Sequence, residues 1–187
     1  PLSTRLITDA RARGIKCTGG LPMLVCQGAR TEELFGAPRR SDGEIESVLA
    51  KMRVSDANII LIGMPGAGKD TVGRLAADMC GRRFFSTDSE IKLLHGESPS
   101  DIIKKHGESE FRLSECEVCE KIARTTRGAV IATGGGTLLS RRAADALSEN
   151  GVFVFLDRDL TLLSKEDRPL SEGDGALTRL YTERIPI

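Results

Sequence analysis

The sequence predicts an α/β fold, a parallel sheet with helices on both faces, preceded by a small helical appendage. Three observations carry this expectation. From residue 58 onward short apolar runs alternate with longer helical stretches, the pattern of strand–helix–strand crossovers. A glycine-rich segment, GMPGAGKD at Gly63 to Asp70, joins the first apolar run directly to a helical pattern. The portion before about residue 54 shows helical periodicity and no strand signal.

In the appendage the first helix is expected over residues 4–13. Leu6, Ile7 and Ala10 recur there at helical spacing, between Ser3 or Thr4 as N-cap and Gly14 as terminator. A second helix covers about 22–35 and ends at Gly36, after which 36–43 reads as a linker. A third starts from Ser41, where Glu44 completes a capping box and Ile45, Val48, Leu49 and Met52 share one apolar face. Three such helices bury no core of their own, so their stripes must dock on the main domain or on a partner. Strands follow at 58–62, 83–86, 129–132 and 152–156, with helices at 69–80, 89–95, 100–105, 108–126 and 140–148. Crossovers of this length are right-handed, which gathers ligands at the carboxyl ends of the strands.

The 187 residues and 40% hydrophobic content suffice for one ordinary α/β domain plus the appendage. Basic and acidic residues number 27 each, and only 4% are aromatic, so neither a global field nor a stacking surface recruits nucleic acid or an anionic membrane. No apolar run approaches the ~20 residues of a membrane span, and the N-terminus is not a signal peptide. Five cysteines, an odd number, read as reduced thiols of a cytoplasmic protein. Cys116 and Cys119 form a C-x-x-C, but inside a helical stretch and without a second pair or a nearby His, which favours packing over zinc or redox chemistry. The chain opens on Pro1 rather than Met and reads as trimmed or partial.

The glycine-rich segment fits G-x-x-x-x-G-K-[ST] at every fixed position except the last, where Asp70 replaces the hydroxyl residue that ligates Mg²⁺. Strand before and helix after make it a phosphate cradle rather than an ordinary turn. Gly63, Gly66, Ala67 and Gly68 let backbone N–H groups face the phosphates, Lys69 reaches their oxygens, and Asp70 and Thr71 open the helix. Four further signatures follow. Asp88 leads into a helix after the second strand, either as a bare N-cap or with its carboxylate across the cleft. Arg112 and Glu115 share a helical face, as a solvated ion pair or as part of a site. The third strand runs into Gly134, Gly135 and Gly136, a sequence suited to close backbone approach to a ligand. Arg168 lies in the polar stretch 164–175, which has the composition of a surface loop or of a lid closing an arginine over phosphates.

In this order the loop, T-D-x-E-I, E-x-E-F-R-x-x-E, A-T-G-G-G and R-P-L resemble the shikimate kinase family, from about Asn58 to the end of the chain. The resemblance implies a P-loop kinase of three layers, α/β/α, and transfer of the ATP γ-phosphoryl group to the 3-hydroxyl of shikimate with Mg²⁺. It implies that Asp88 contacts the substrate hydroxyls, that Arg112 and Arg184 clamp its carboxylate, that Gly134, Gly135 and Gly136 line the pocket, and that Lys69 and Arg168 hold the phosphates. Whether Asp88 accepts the hydroxyl proton or only orients it stays open. Two other readings stand beside this one, a P-loop module that binds nucleotide without turnover and another small-metabolite kinase.

Two departures from the family pattern matter. Asp70 stands where the family has Ser or Thr, and Ser86 where it has the first aspartate of D-T-D, as if carboxylate and hydroxyl had exchanged places around one Mg²⁺. Family members also continue past Arg184-Ile-Pro-Ile187 with a strand and helix that hold the adenine. The expectation here is four strands, the fifth missing, with one exposed edge and weakened ATP affinity.

Residues 1–53 resemble instead the C-terminal end of shikimate dehydrogenase, through Pro-Leu-Ser-Thr at the start and the stretch Gly19 to Ala29. The resemblance implies that Gln27 matches a shikimate contact and Met23 a residue near the nicotinamide. It further implies a bifunctional dehydrogenase–kinase polypeptide, with the kinase-like domain occupying 54–187. The dinucleotide fingerprint and catalytic Lys and Asp of that family are not found in this chain, so no dehydrogenase activity is expected of it.

Overall fold

A computed structural model of the chain describes residues 2–159. Three helices come first: α1 (Arg5–Ala12), α2 (Gly20–Leu34) and α3 (Asp42–Asp56). Then follow β1 (Asn58–Ile62), α4 (Lys69–Cys80), β2 (Phe84–Ser86), α5 (Thr87–His95), α6 (Pro99–His106), α7 (Glu108–Thr125), β3 (Val130–Ala132), α8 (Arg141–Ser148) and β4 (Gly151–Phe155). The four strands are all parallel in the order β2-β3-β1-β4. Every expected strand and helix is present, with ends displaced by one or two residues. The largest shift is at α5, which starts at Thr87 because Ser86, not Asp88, is its N-cap.

Alternate strand residues feed two cores, as the period of two requires. On one face Ile60, Ile131 and Phe153 pack with Ile91, Ile102, Phe111, Val118, Ile122 and Leu147 from α5 to α8. On the other, Leu61 and Val130 meet Ala77 of α4. Helix α4 comes close enough to β2 that a Cβ on Gly73 would lie 2.5 Å from the Phe84 ring. Capping fixes where the helices start: Ser41 with Glu44 forms the expected box on α3, and Ser98 with Asp101 forms another on α6. Among the described residues nothing pairs with the outer edge of β4, and Val152, Val154 and Phe155 are exposed.

Helices α1 to α3 contain no buried residue. Helix α1 rests on α8 and α2 on α3. Of the expected α1 stripe only Ile7 and Ala10 are partly covered; Leu6 is 78% exposed, because its side of the helix has nothing packed on it among the described residues. Backbone and capping bonds hold the segment in place. Leu2 N donates to Asn150 Oδ1 and Ser3 N to Glu149 O, both at 2.8 Å. Arg82 donates to the carbonyls of Val54 and Ala57 at the end of α3, at 2.6 and 2.7 Å. No helix among the described residues is long and apolar enough to cross a membrane.

Candidate active site

The phosphate-loop residues leave the carboxyl end of β1 and enter α4 at Lys69. Gly68, the N-cap, has φ 87°, a left-handed conformation that side-chain-bearing residues adopt at a cost. Gly63 needs its bare Cα for another reason: a Cβ there would come within 2.5 Å of Leu156 O, at the end of β4. Gly66, Ala67 and Lys69 are buried, while Asp70 and Thr71 lie exposed on the first turn. Lys69 Nζ donates to the carbonyls of Gly63 and Met64 at 2.9 Å each, holding the ammonium within the loop. The first turn of α4 brings the positive end of the helix dipole to this loop, an arrangement suited to phosphate oxygens.

The carboxyl end of β2 delivers Ser86, which is buried, then Thr87 and Asp88 on the first turn of α5. Thr87 Oγ1 accepts the N–H of Gly134 at 3.0 Å, tying α5 to the turn after β3. Thr133 closes the other side of that turn, its N–H and Oγ1 both donating to Leu61 O on β1, at 3.1 and 3.0 Å. Asp88 is exposed, and its Oδ1 lies 3.5 Å from where a Gly134 Cβ would be. Its carboxylate therefore stands beside the triple glycine, and the bare N-cap reading is replaced by Ser86.

The three glycines are explained one by one by protein neighbours. None has a left-handed φ, so steric room, not backbone freedom, sets them apart. A Cβ on Gly134 would lie 2.5 Å from Glu115 Oε1, one on Gly135 2.5 Å from the Pro65 ring, and one on Gly136 2.7 Å from Arg112 Nη2. The turn thus touches the phosphate loop, through Pro65, and the Arg112 helix at two adjacent glycines.

Arg112 and Glu115 are not a solvated surface pair. Arg112 Nη1 donates to Glu115 Oε2 at 2.7 Å; Glu115 is wholly buried and the arginine side chain only 21% exposed. The outer edge of the guanidinium, Nε and Nη2, donates to Glu108 Oε1 at 3.3 and 3.0 Å. Burial alone would lower the arginine's pKa, but the charge and hydrogen bond of Glu115, with Glu108 behind it, raise it. Of the five N–H groups of a guanidinium these bonds use three, and the nitrogens that keep one each, Nη1 and Nη2, are the atoms facing Gly136. Two parallel donors are what a carboxylate accepts best.

Glu115, Glu108, Thr87 and Pro65 belong to the quoted motifs, but neither the burial of Glu115 nor the contacts of the other three were foreseeable, and Thr137, just past the triple glycine, carried no sequence signal for the site. Cys116 and Cys119 are core residues, the former 2.9 Å from Ser140 Oγ, the latter with its thiol pKa pushed up by burial and by the nearby Glu115 and Cys116. Arg168, Arg184 and the stretch 164–175 lie outside the described residues.

The family model described as shikimate kinase matches residues 65–187. A shikimate kinase of Ruegeria pomeroyi is 38% identical over 139 residues, which cover 69% of this chain and 70% of that protein. One from Nitrobacter winogradskyi is 40% identical over 140 residues, covering 70% of this chain and 64% of its relative. Among solved structures, the shikimate kinase from Acinetobacter baumannii in complex with shikimate superposes with a TM-score of 0.67 at 32% identity, over 73% of this chain and 80% of the other. That from Aquifex aeolicus does so with a TM-score of 0.60 at 31% identity, over 70% and 80%. The stretch matched by the family model takes in the phosphate loop from Pro65 onward, Asp88, the Arg112 helix and the triple glycine, and the chain belongs to the shikimate kinase family.

Proposed function

We propose that this chain transfers the γ-phosphoryl group of ATP to the 3-hydroxyl of shikimate, giving shikimate 3-phosphate and ADP in aromatic amino-acid biosynthesis. The observation that carries the proposal is the triple-glycine turn, which meets the phosphate loop through Pro65 at Gly135 and the guanidinium of Arg112 at Gly136. A hydroxylated ring with one carboxylate fits between them, its carboxylate on Arg112 and its hydroxyls toward Asp88. Phosphoryl transfer asks mainly for positioning and charge neutralisation. The loop N–H groups, Lys69 and Arg168 hold the phosphates, and Arg184 joins Arg112 on the carboxylate. Asp88 orients the attacking hydroxyl or takes its proton.

Asp70 and Ser86 offer a carboxylate and a hydroxyl oxygen, donors that suit Mg²⁺, a hard cation that keeps waters and phosphate oxygens. No cluster of three or more His, Cys, Asp and Glu gathers among the described residues. The remaining ligands of such a cation would come from the nucleotide and water, with Asp70 and Ser86 exchanging the family's usual roles. When bound, Mg²⁺ neutralises charge on the phosphates. Mg²⁺ titration of Asp70→Ser, Ser86→Asp and the double reversal examines the exchange: each single change should weaken metal use, and improved activity in either one sinks it.

The appendage is the C-terminal end of a shikimate dehydrogenase-like domain in a bifunctional cytoplasmic polypeptide. The exposed apolar residues of α2, among them Met23, Leu24 and Leu34, support this as a face that packs on further protein. Expression together with the upstream coding region should add nicotinamide-dependent shikimate oxidation to the same polypeptide; its absence from the longer product contradicts the fusion.

A coupled ADP-release assay tests the main proposal. ADP should appear with shikimate and not with gluconate. Nucleotide binding without shikimate-dependent turnover would instead establish a binding module, in which Asp70 repels the β-phosphate.

A further inference from the structure

Glu115 is a carboxylate without exposure, and its oxygens have different partners. Oε2 accepts from Arg112 Nη1 at 2.7 Å, and Oε1 accepts from Thr137 Oγ1 at 2.6 Å. Thr137, 1% exposed, opens a short 3₁₀ turn, Thr137–Leu139, immediately after the glycines. Its hydroxyl also lies 3.1 Å from Gly134 O, but it has one proton, and the shorter contact to an ionised oxygen takes it. Gly134 walls in the same oxygen, since a Cβ there would stand 2.5 Å from Oε1.

A buried carboxylate that loses one of two hydrogen bonds is left with an unsatisfied oxygen and no longer has its orientation fixed from that side. Rotation loosens its hold on Nη1. Arg112 would then depend on Glu108, whose side chain is 52% exposed and gives no fixed anchor. The direction in which the guanidinium meets Gly136 is thus set from behind, through Glu115, by a hydroxyl that does not itself face the cleft.

We propose that Thr137 is a positioning residue for substrate-carboxylate binding, acting through Glu115 on Arg112. The proposal rests on the reading of Arg112 as the arginine that receives the carboxylate of shikimate. Its reach is specific. The Thr137 hydroxyl reaches Glu115 Oε1 and Gly134 O, whereas Pro65 of the phosphate loop meets the turn at Gly135, so nucleotide binding should be insensitive to the hydroxyl.

The experiment is steady-state kinetics on the full chain with Thr137→Val, Thr137→Ser and Arg112→Ala, measuring KM for shikimate and for ATP separately. Thr137→Val should raise KM for shikimate fivefold or more and leave KM for ATP within twofold, while Thr137→Ser stays within twofold of the parent for both. The proposal is overturned if Thr137→Val leaves KM for shikimate within twofold, if both KM values rise together, or if serine fails as valine does. Should the valine variant not fold, Thr137→Ala is judged by the same thresholds. Arg112→Ala separates the two layers: unchanged KM for shikimate there removes the underlying reading, whereas a raised KM with an unaffected Thr137→Val removes only the role of Thr137.

Discussion

Arg112 is seated against Gly136 so closely that a Cβ on the glycine would lie 2.7 Å from Nη2 and 2.8 Å from Nη1. The guanidinium cannot retreat freely, because the buried Glu115 holds Nη1 at 2.7 Å. Gly136→Ala should therefore displace the arginine head and raise KM for shikimate about tenfold, the ~1.4 kcal/mol that one displaced charge-assisted bond is worth. Kinetics with shikimate varied at saturating ATP checks it.

Gly135→Ala should act on the other substrate. Its Cβ would meet Pro65 at Cγ, Cδ and N, at 2.5, 2.7 and 2.9 Å, and a proline ring in a constrained loop has no rotamer to escape into. The loop itself must move, so KM for ATP should rise while KM for shikimate changes little. Overpacking of this kind costs about 1–3 kcal/mol. Thermal unfolding should fall by several degrees, and opposite KM signatures of the two alanines would place both substrates on their assigned sides.

Removing Arg112 should destabilise the protein as well as weaken binding. Arg112→Met leaves the buried Glu115 carboxylate with no cation beside it among the described residues, only the Thr137 hydroxyl. Breaking one partner of such a pair costs about 3 kcal/mol. At ~2–4 °C per kcal/mol for a chain of this size, calorimetry should show a drop of roughly 6–12 °C. Arg112→Met with Glu115→Leu should recover much of the stability and none of the shikimate affinity.

Glu108 should oppose substrate binding. It occupies the Nε–Nη2 edge of Arg112, and a substrate carboxylate arriving there would join two carboxylates around one guanidinium. Glu108→Gln removes that repulsion, and exposed pairs are worth about 0.2–1 kcal/mol. KM for shikimate should fall roughly 1.4- to fivefold with kcat unchanged, on the same conversion of about 1.4 kcal/mol per tenfold. The methyl ester of shikimate, lacking the charge, should show no gain.

Thiol chemistry reports on the core. Cys26 and Cys80 are exposed, whereas Cys116 and Cys119 are buried and the Cys119 thiol pKa is raised by burial first and by Glu115 and Cys116 after it. A raised thiol pKa keeps the protonated, unreactive form as pH climbs through 8 and 9. A thiol reagent at pH 8 should modify Cys26 and Cys80 quickly, and Cys116 and Cys119 only after denaturation.

Much of this was legible in the chain itself. Apolar alternation and glycine punctuation marked all four strands, and α4 begins at Lys69 and ends at Cys80 as its pattern requires, because Gly68 and Gly81 bracket it. The phosphate loop was readable because its chemistry depends on backbone N–H groups, which adjacent residues supply. Asp88, Arg112 and the glycines could be named as separate signals. Their sequence gave no measure of which was buried, nor that Leu6 in α1 would face outward.

The one-dimensional order of residues determined the element types, the phosphate cradle and the residue classes of the site, since local spacing and local sterics govern those. Only tertiary structure decided that Glu115 is a buried anchor rather than a surface charge, that Thr137 holds it, and that each glycine makes room for a different neighbour. Those facts depend on α7 packing beside the turn after β3, a contact between residues more than a strand and a helix turn apart, whose burial and bond lengths no local pattern encodes.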